Sequence, residues 1–401
     1  MGPFSGKHIL LGITGSIAAY KACQLIRDLH YLGAEVRVIL TESAKQFITP
    51  LTLETLTGNE VVQTMFPENR MVKTRHISWA EWADCLVVCP ATLNMIGKVR
   101  AGIADDFLST AIAASRTPVI FAPAMDYEMA NNSIFQSNCD TLKSMGYRFV
   151  DSEEGELASG AIGKGRLASL DRIVDAIKMA VLSNDRLKGR RVLVTAGPTR
   201  EWLDPVRFFS NGSSGKMGYA LAEEAVLRGA EVTLISGPSN CRPFAHVNYM
   251  SVESAKEMAE VVLGLWPDYD VLVKAAAVSD YRPESREEQK IKKSDNRLAL
   301  NLIRNPDILK EAAAVKGGRL VVGFSMETEN GEANALAKCR EKNCDLICLN
   351  YIRENSGFGS RTNEVTLIEK NGHSTQLPAL EKREVAERIF DKIEELMKQK
   401  R

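Results

Sequence analysis

The sequence has no long hydrophobic run and no excess of charge of either sign. None of its apolar stretches approaches the roughly 20 residues that a membrane-spanning helix needs. Its 51 Lys and Arg residues balance 51 Asp and Glu residues, so no net field favours nucleic acid or an anionic membrane. The N-terminal residues lack a signal peptide, because the apolar segment after them is a short strand that ends in glycine. We therefore expect a cytoplasmic protein with neither a nucleic-acid nor a membrane partner.

The eight cysteines form no extracellular framework. Cys85 and Cys89 flank an apolar strand, and Cys339, Cys344 and Cys348 have no C-x-x-C pair or histidine partner at zinc spacing. This pattern predicts buried, reduced thiols.

Two parts of the chain open with the same β-α-β pattern, and 401 residues favour two domains. In each part an apolar strand and a small-residue turn lead to a helix, and a Gly-Ala-Glu-Val segment then starts a second strand. These units cover residues 8–40 and 191–236. The sequence therefore predicts an α/β fold with two nucleotide-fold domains, 1–183 and 190–401, joined by a polar linker at 183–189.

The remaining apolar segments predict further elements of both domains. A helix is expected at the end of each domain, at residues 170–182 and 380–398, and a hairpin turn at 370–373. Buried strands are expected at residues 84–89, 117–121, 147–150, 247–252, 270–275, 321–324 and 346–350.

The most informative segment is residues 195–218, which follows a strand and leads into a helix. Backbone N–H groups at the helix start, together with Arg207 and Lys216, suit an anionic ligand. Glycine packing alone would explain the turns but not the ordered polar side chains among them, which are Asp204, Arg207, Asn211, Ser213, Ser214 and Lys216. We interpret the segment as a ligand loop.

Other polar clusters follow in the same half of the chain. Residues 274–283 end a strand with small residues and then expose Asp280 and Arg282 at the edge where open α/β sheets bind ligands. A Lys-Ile-Lys-Lys segment begins at Lys290, and an Asn-Pro-Asp-Ile segment at 305–308 starts a helix. Lys338 and Lys342 lie on one helical face. Each lysine alone would be solvated surface, but together with the loop they predict a polyphosphate site.

No Walker motif accounts for that site. Ser210 occupies the position of the first P-loop glycine, and Met217 replaces the Ser or Thr that would hold magnesium.

These motifs closely resemble the phosphopantothenate–cysteine ligase domain of the bifunctional bacterial enzyme of coenzyme A biosynthesis, over nearly all of residues 190–401. The resemblance implies a CTP-dependent ligase in which the phosphopantothenate carboxylate attacks the α-phosphate and the cysteine amine then displaces CMP. It implies that Asn211 holds the carboxylate or acyl end, that Lys290 stabilises charge during cytidylyl transfer, and that Asp280 contacts the nucleotide and is a candidate Mg²⁺ ligand. The CTP site would be lined by Asp280, Lys290, Asn305, Pro306, Asp307, Ile308, Phe324, Lys338 and Lys342.

In the first half, a G-x-x-G turn at residues 12–15 places Ser16 at a helix start, where it suits a single phosphate. It is not the dinucleotide G-x-G-x-x-G fingerprint. With the strand end at 89–94 and the segment 101–110, it resembles the homo-oligomeric FMN-containing cysteine decarboxylases, which form the first half of the same bifunctional protein. The resemblance implies a flavodoxin-like FMN domain before a Rossmann-like ligase domain, a homo-oligomer, and His76 as the catalytic histidine. The FMN candidates are Gly15, Ser16, Ser43, Thr92 and Asn94.

Two positions depart from that family's pattern. Asp126 stands where the family has an asparagine, which the resemblance implies binds the substrate carboxylate, and Ser159 stands where the family has the lid cysteine. An aspartate offers no amide donor and brings like charges together, and a serine is neither acidic enough nor redox-active to replace the cysteine. The alternatives are therefore an impaired decarboxylase or a non-catalytic, FMN-binding oligomerisation module beside an active ligase. A nicotinamide-dependent oxidoreductase is a further alternative, which the missing fingerprint argues against.

Overall fold

The computed structural model describes residues 2–66, 75–292, 298–327, 329–351 and 362–400. The chain divides into two compact units, Met1–Leu182 and Ser183–Arg401. Both are built on a mainly parallel sheet, as the α/β pattern predicts.

The first unit contains a six-stranded parallel sheet with the order β3-β2-β1-β4-β5-β6. Its strands are β1 (His8–Ile13), β2 (Glu35–Leu40), β3 (Val61–Val62), β4 (Cys85–Ala91), β5 (Val119–Pro123) and β6 (Arg148–Phe149), and an antiparallel ribbon follows, β7 (Glu153–Glu156) and β8 (Ile162–Arg166). The helices are α1 (Lys21–Tyr31), α2 (Pro50–Thr57), α3 (Arg75–Trp82), α4 (Leu93–Arg100), α5 (Phe107–Ala114), α6 (Tyr127–Ala130), α7 (Ser133–Ser144) and α8 (Leu170–Val181), with 3-10 turns at Ile17–Tyr20 and Glu42–Gln46.

Helices cover both faces of this sheet because its strands are apolar on both. Ile9 and Leu11 of β1 enter the core that contains α1 and α8, whereas Leu10 enters the opposite core with α4 and α5. The three-layer architecture is the expected flavodoxin-like one. The strand order of this sheet is 3-2-1-4-5-6, whereas the order in flavodoxin itself is 2-1-3-4-5. The order reverses between β1 and β4, so the ends of these two strands open a crevice.

The second unit contains an eight-stranded sheet with the order β13-β12-β9-β14-β17-β18-β20-β21, in which β20 and β21 are antiparallel to their neighbours. The sheet strands are β9 (Arg191–Ala196), β12 (Glu231–Ser236), β13 (Val247–Ser251), β14 (Val271–Lys274), β17 (Leu320–Glu327), β18 (Leu346–Tyr351), β20 (Val365–Glu369) and β21 (Ser374–Gln376). Three small antiparallel pairs are β10 (Arg200–Trp202) with β11 (Phe208–Ser210), β15 (Tyr281–Pro283) with β16 (Leu302–Arg304), and β19 (Thr362–Asn363) with β22 (Leu380–Glu381). The helices are α9 (Lys216–Leu227), α10 (Ala255–Leu265), α11 (Ile308–Ala314), α12 (Gly331–Glu341) and α13 (Lys382–Gln399), with a 3-10 turn at Trp266–Asp268.

Most predicted elements of this unit are confirmed within a few residues. The hairpin turn at 370–373 joins β20 to β21, and the closing helix is α13. The strand order reverses between β9 and β14, which places a second crevice at the carboxyl ends of these strands.

The segment 183–189 packs as part of the second unit. The backbone N–H groups of Asn184 and Leu187 donate to Leu227 and Arg228 at the end of α9, and the Leu187 side chain is buried.

All eight cysteines are free, and six are buried as predicted; Cys23 and Cys241 are half-buried. No helix among the described residues is long and apolar enough to cross a membrane.

Candidate functional sites

The second crevice is a cavity of about 720 Å³ at the carboxyl ends of β9, β14 and β17. It gathers segments that lie far apart in the sequence, because the ends of parallel strands share one edge of the sheet. The predicted site residues that line it are Asn211, Asp280, Asn305, Pro306, Asp307, Ile308, Phe324, Lys338 and Lys342.

Glycines allow the ligand loop to approach the sheet closely. Gly197 and Gly215 have φ angles of 73° and 81°, in the left-handed region. A Cβ atom on Gly197 would lie 2.7 Å from the carbonyl oxygen of Gly237, so a larger residue would not fit. Gly215 precedes α9, and its N–H donates to Ser213 Oγ at 3.2 Å. The loop therefore points a helix start into the cavity, as the sequence predicts.

The cavity is strongly cationic. Lys338 Nζ donates to the Phe324 carbonyl at 3.2 Å and to Ser325 Oγ at 3.3 Å. Lys342 Nζ forms an ion pair with Asp307 Oδ2 at 2.8 Å. Burial lowers the pKa of Lys338, and the charge of Lys342 lowers it further. Burial alone would raise the pKa of Asp307, but the hydrogen bonds from Lys342 and from the Lys310 N–H hold it below its usual value.

Three further lysines line the cavity. The ligand-loop pattern predicts that Lys216 suits an anionic ligand, whereas no specific role is predicted for Lys274 or Lys382. Lys216 starts α9, Lys274 ends β14, and Lys382 starts α13. Burial, followed by the charges of Lys338 and Lys342, lowers the pKa of Lys274 to about 8. Burial and the charge of Lys216 lower the pKa of Lys382. The signal for Lys274 was its position at a strand end, whereas Lys382 resembles any surface lysine at a helix start.

Asp280 and Asn305 form a second wall of the cavity. The Asn305 N–H donates to the Asp280 carbonyl at 2.9 Å, and Asn305 Nδ2 donates to the Ser279 carbonyl at 2.8 Å. Arg282 Nη1 donates to Asn305 Oδ1 at 3.0 Å, which fixes the amide orientation. The Asp280 side chain is exposed to the cavity. In the described ranges no group of three His, Cys, Asp or Glu side chains is placed to hold a metal ion.

Lys290 is exposed and is not among the described residues that line the cavity. Its neighbour Ile291 is held by the ligand loop: the Ile291 N–H donates to buried Asp204 at 3.2 Å, and Arg207 Nη2 donates to the Ile291 carbonyl at 2.7 Å. Lys293 of the same motif lies outside the described residues.

The crevice of the first unit is a cavity of about 610 Å³ beyond the ends of β1 and β4. The two strand ends are joined through Thr14, whose hydroxyl donates to the Pro90 carbonyl at 2.7 Å and accepts from the Thr92 N–H at 3.0 Å. Ser16 caps the first helical turn, with its Oγ accepting from the Ala18 N–H. The predicted residues that line this cavity are Gly15, Ser16, Thr92, Asp126 and Ser159.

Three other predicted residues are not among the described residues lining it. Ser43 packs directly behind Gly15, since a Cβ atom on Gly15 would lie 2.5 Å from Ser43 Cβ. Asn94 lies in the first turn of α4. His76 is half-buried on α3, where its ring packs edge-on against Phe107 with 6.3 Å between the two ring centroids.

Charged groups also line the first cavity. Lys21 and Arg166 both face it, and burial followed by the charge of Arg166 lowers the pKa of Lys21. Ser159 Oγ donates to Asp126 Oδ2 at 2.6 Å. This hydrogen bond, with one from the Glu128 N–H, lowers the pKa of Asp126. Neither Lys21 nor Arg166 lies in a pattern that predicts a role for it.

Family models match both units: a flavoprotein family over residues 3–182 and the C-terminal domain of the DNA/pantothenate metabolism flavoprotein over 187–397. The chain is 44% identical to the coenzyme A biosynthesis bifunctional protein of Bacillus subtilis (strain 168) over 399 residues, covering 98% of each protein. It is 40% identical to the protein of that name from Escherichia coli (strain K12), covering 97% of each.

Two solved structures are also similar to parts of the chain. The C-terminal domain of a coenzyme A biosynthesis bifunctional protein is 44% identical, with 54% of this chain and 100% of that one covered and a TM-score of 0.47. A cysteine-to-serine mutant of a PPC decarboxylase, complexed with pantothenoylaminoethenethiol, is 29% identical, with 43% and 97% covered and a TM-score of 0.40. From the full-length relatives and the two family models, this chain belongs to the family of coenzyme A biosynthesis bifunctional proteins.

Proposed function

We propose that the second unit is a CTP-dependent phosphopantothenate–cysteine ligase. The observation that carries this proposal is the cavity at the β9/β14 switch point, which five lysines line together with Asn211 and Asp280. Transfer of a nucleotidyl group needs positioned cations more than a covalent nucleophile, because negative charge develops on the phosphate oxygens. A cavity of this composition suits a nucleoside triphosphate beside a carboxylate substrate.

In the first step, the phosphopantothenate carboxylate attacks the α-phosphate of CTP and pyrophosphate leaves. In the second step, the cysteine amine attacks the acyl carbon, CMP leaves, and the amine loses a proton. Asn211 would hold the carboxylate and then the acyl group; its Nδ2 now donates to the Ala277 carbonyl at 3.1 Å, at the edge of the cavity. Binding of CTP would fall to the wall formed by Asp280, Asn305, Pro306, Asp307, Ile308, Phe324, Lys338 and Lys342.

Magnesium and Lys290 complete the proposed ligase site. Mg²⁺ is commonly held by one or two carboxylates together with substrate phosphates, so a single aspartate such as Asp280 suffices as the protein ligand. Lys290 would stabilise charge during cytidylyl transfer, which requires its loop to bring the side chain to the cavity when substrates bind.

We propose FMN as the cofactor of the first unit. The cavity of about 610 Å³ is in the range of sites for such ligands. The Ser16 turn offers backbone N–H groups to one phosphate, and close packing of Gly15 on Ser43 holds that turn. Thr92 and Asn94 begin α4 on the other side of the crevice. When bound, FMN would supply the two-electron chemistry that oxidative decarboxylation of the cysteinyl group requires.

The first unit of this chain is proposed to bind FMN but to turn over poorly. Asp126 and Ser159 occupy the family's carboxylate-binding and reducing positions, and here they hydrogen-bond to each other. The same contact favours the second candidate, a ligase whose first unit is a non-catalytic, FMN-binding oligomerisation module. In either case we propose a cytoplasmic homo-oligomer that acts on small molecules.

One coupled assay tests both units. The purified chain is incubated with phosphopantothenate, cysteine, CTP and Mg²⁺, and CMP, phosphopantothenoylcysteine and carbon dioxide are followed together. We expect CMP and phosphopantothenoylcysteine in equal amounts, with little carbon dioxide. Absence of CMP would contradict the ligase proposal, and rapid release of carbon dioxide with phosphopantetheine would contradict impairment of the first unit. A visible flavin spectrum of the purified protein tests FMN separately.

A further inference from the structure

Lys274 ends the central strand of the second unit at the point where the strand order reverses. It pairs with Thr195 of β9 on one side and with Gly323 of β17 on the other. Neither neighbour carries a charge, and the side chain of Lys274 lines the cavity. Lys274 is half-buried, and a lysine withdrawn from solvent in this way is disfavoured unless an opposite charge compensates it.

The other two lysines beside it already have protein partners, but Lys274 has none. Lys338 donates to Phe324 and Ser325, and Lys342 is paired with Asp307. Across the described ranges, no side-chain hydrogen bond or ion pair within 4 Å holds the Lys274 ammonium. Its donors are therefore available to a molecule in the cavity.

The charges around Lys274 come from three elements. Lys338 and Lys342 lie on or next to α12, Asp307 precedes α11, and Asp280 follows β14. The two lysines outweigh the two aspartates, and burial is the largest influence of all. The surroundings thus disfavour the charged ammonium in the free protein. An anion placed against it would supply the missing compensation.

We propose that the Lys274 ammonium binds the phosphate chain of the nucleotide directly, and that nucleotide binding holds its proton in place. This inference rests on the proposed function of the cavity as a CTP site and adds a binding residue to it. The ligand chemistry is a polyphosphate, since Lys338 and Lys342 bring further positive charge to the same part of the cavity.

Titration of Lys274 should make nucleotide affinity depend on pH. In the free protein the pKa of Lys274 is lowered to about 8, and a bound polyanion raises it again. Below that value the ammonium is already charged, and nucleotide affinity is at its maximum. Above it, binding requires uptake of a proton, so affinity falls as pH rises until the pKa of the complex is reached. The nucleotide phosphates are themselves ionised throughout this range, because their last pKa is about 6.

The test is calorimetric titration of the full chain with CTP and Mg²⁺ between about pH 7 and pH 9, in two buffers that differ in ionisation enthalpy. Lys274→Met removes the charge at similar length, and Lys274→Arg keeps a charge that does not titrate in this range. Lys310→Met is the matched control, because Lys310 is exposed on the neighbouring α11 and does not line the cavity. Phosphopantothenate and inorganic pyrophosphate are titrated in parallel.

We expect Lys274→Met to weaken CTP and pyrophosphate binding about tenfold or more, as loss of a charged hydrogen bond does, and to abolish proton uptake. Lys274→Arg should bind with a flatter pH dependence, and Lys310→Met should behave as the unmodified chain. The Tm of Lys274→Met should be unchanged or higher, because a half-buried charge with no ion-pair partner among the described residues is removed. A purely structural lysine would instead lower Tm and leave proton uptake unchanged.

Wild-type CTP affinity and proton uptake in Lys274→Met would overturn the inference, as would a loss confined to phosphopantothenate. Failure of the unmodified chain to bind CTP would contradict the ligase proposal itself. In that case the pyrophosphate titrations decide. Weaker pyrophosphate binding by Lys274→Met than by the unmodified chain would still support a contact between Lys274 and phosphate. Equal pyrophosphate binding by the two proteins would overturn that contact.

Discussion

Ser159 donates a hydrogen bond of 2.6 Å to the carboxylate of Asp126, although 33 positions separate them in the chain. Asp126 precedes α6, and Ser159 lies in the turn of the β7–β8 ribbon. The ribbon packs tightly here: the Met125 N–H donates to the Gly165 carbonyl, and a Cβ atom on Gly165 would lie 2.4 Å from the Met125 carbonyl oxygen. The two positions that depart from the decarboxylase pattern therefore contact each other in one cavity.

Restoring the family residues should restore decarboxylation only in combination. Asp126→Asn removes the negative charge that would repel the substrate carboxylate, so carbon dioxide should be released. Release should stop after a single turnover per site, because Ser159 cannot replace the lid cysteine. Ser159→Cys alone should release little, because Asp126 still repels the substrate. The double variant should form phosphopantetheine repeatedly. Carbon dioxide and phosphopantetheine are measured with phosphopantothenoylcysteine as substrate.

A His76→Gln change in the double variant is the control for the proposed catalytic histidine and should abolish the regained turnover. Efficient phosphopantetheine formation by the unmodified chain would contradict the inhibitory role of Asp126 and Ser159.

Flavin content should depend on the close packing behind the Ser16 turn. Gly15→Ala would place a methyl group against Ser43, with a Cβ–Cβ distance of 2.5 Å, and should displace the turn and lower the flavin bound per protein. Gly97→Ala is the matched control, because a Cβ atom there has no neighbour within 4 Å and Gly97 lies inside α4. That change should retain flavin and stabilise the helix by up to about 1 kcal/mol. The flavin bound per protein is measured as visible absorbance divided by protein concentration. Equal flavin content in the two variants would contradict this prediction.

The sequence predicted the sheets because their strands are short apolar runs bounded by turns. It also predicted that the ligand loop with Asn211, the strand end with Asp280 and the helical face with Lys338 would form one site, and all three residues line the same cavity. The other residues of the cavity are brought there by tertiary packing, which the local sequence does not reveal. Lys382 reaches the same cavity as Lys216 only because α13 returns to the sheet, and nothing local marks it.

The antiparallel ribbon was the clearest omission. Its strands carry glycines and charged residues, Glu153–Glu156 and Ile162–Arg166, with no alternation of apolar and polar positions. The period-2 signal of a half-buried strand is therefore absent, and the contact of Ser159 with Asp126 could not be predicted from the pattern.

The stability of the second unit should depend on Arg228, whose side chain is 1% exposed at the end of α9. Its guanidinium pairs with Glu224 at 2.7 Å and with Asp391 and Glu394 of α13. Arg228→Met would leave buried Glu224 without its ion pair, while Arg186 would still pair with Asp391 and Glu394. The change should lower the free energy of unfolding by about 3–5 kcal/mol. Arg388→Met is the control: Arg388 also pairs with Asp391 but is 60% exposed, so the loss should stay within about 1 kcal/mol.

The free energy of unfolding of the Arg228 and Arg388 variants is measured by hydrogen exchange of peptides from α9 and α13 in urea. Burial already raises the pKa of Glu224, against the opposing hydrogen bond from Arg228. Loss of Arg228 raises it further, so protonation should favour the folded variant. Its stability deficit should therefore shrink as pH falls, and a deficit independent of pH would contradict this account.

Ligase turnover should depend on Lys290 more than CTP binding does. Lys290 is exposed and lies outside the cavity of the free chain, while Asp204 and Arg207 hold its neighbour Ile291 to the ligand loop. A group that contributes only as charge develops should change kcat rather than ground-state affinity. Lys290→Gln should thus lower the rate of CMP formation about 10²-fold or more, with CTP affinity nearly unchanged. Lys292→Gln, an exposed lysine of the same loop, is the matched control and should retain activity. Rapid-quench measurement of CMP in a single turnover separates the chemical step from product release, and full activity of Lys290→Gln would remove this residue from the proposed site.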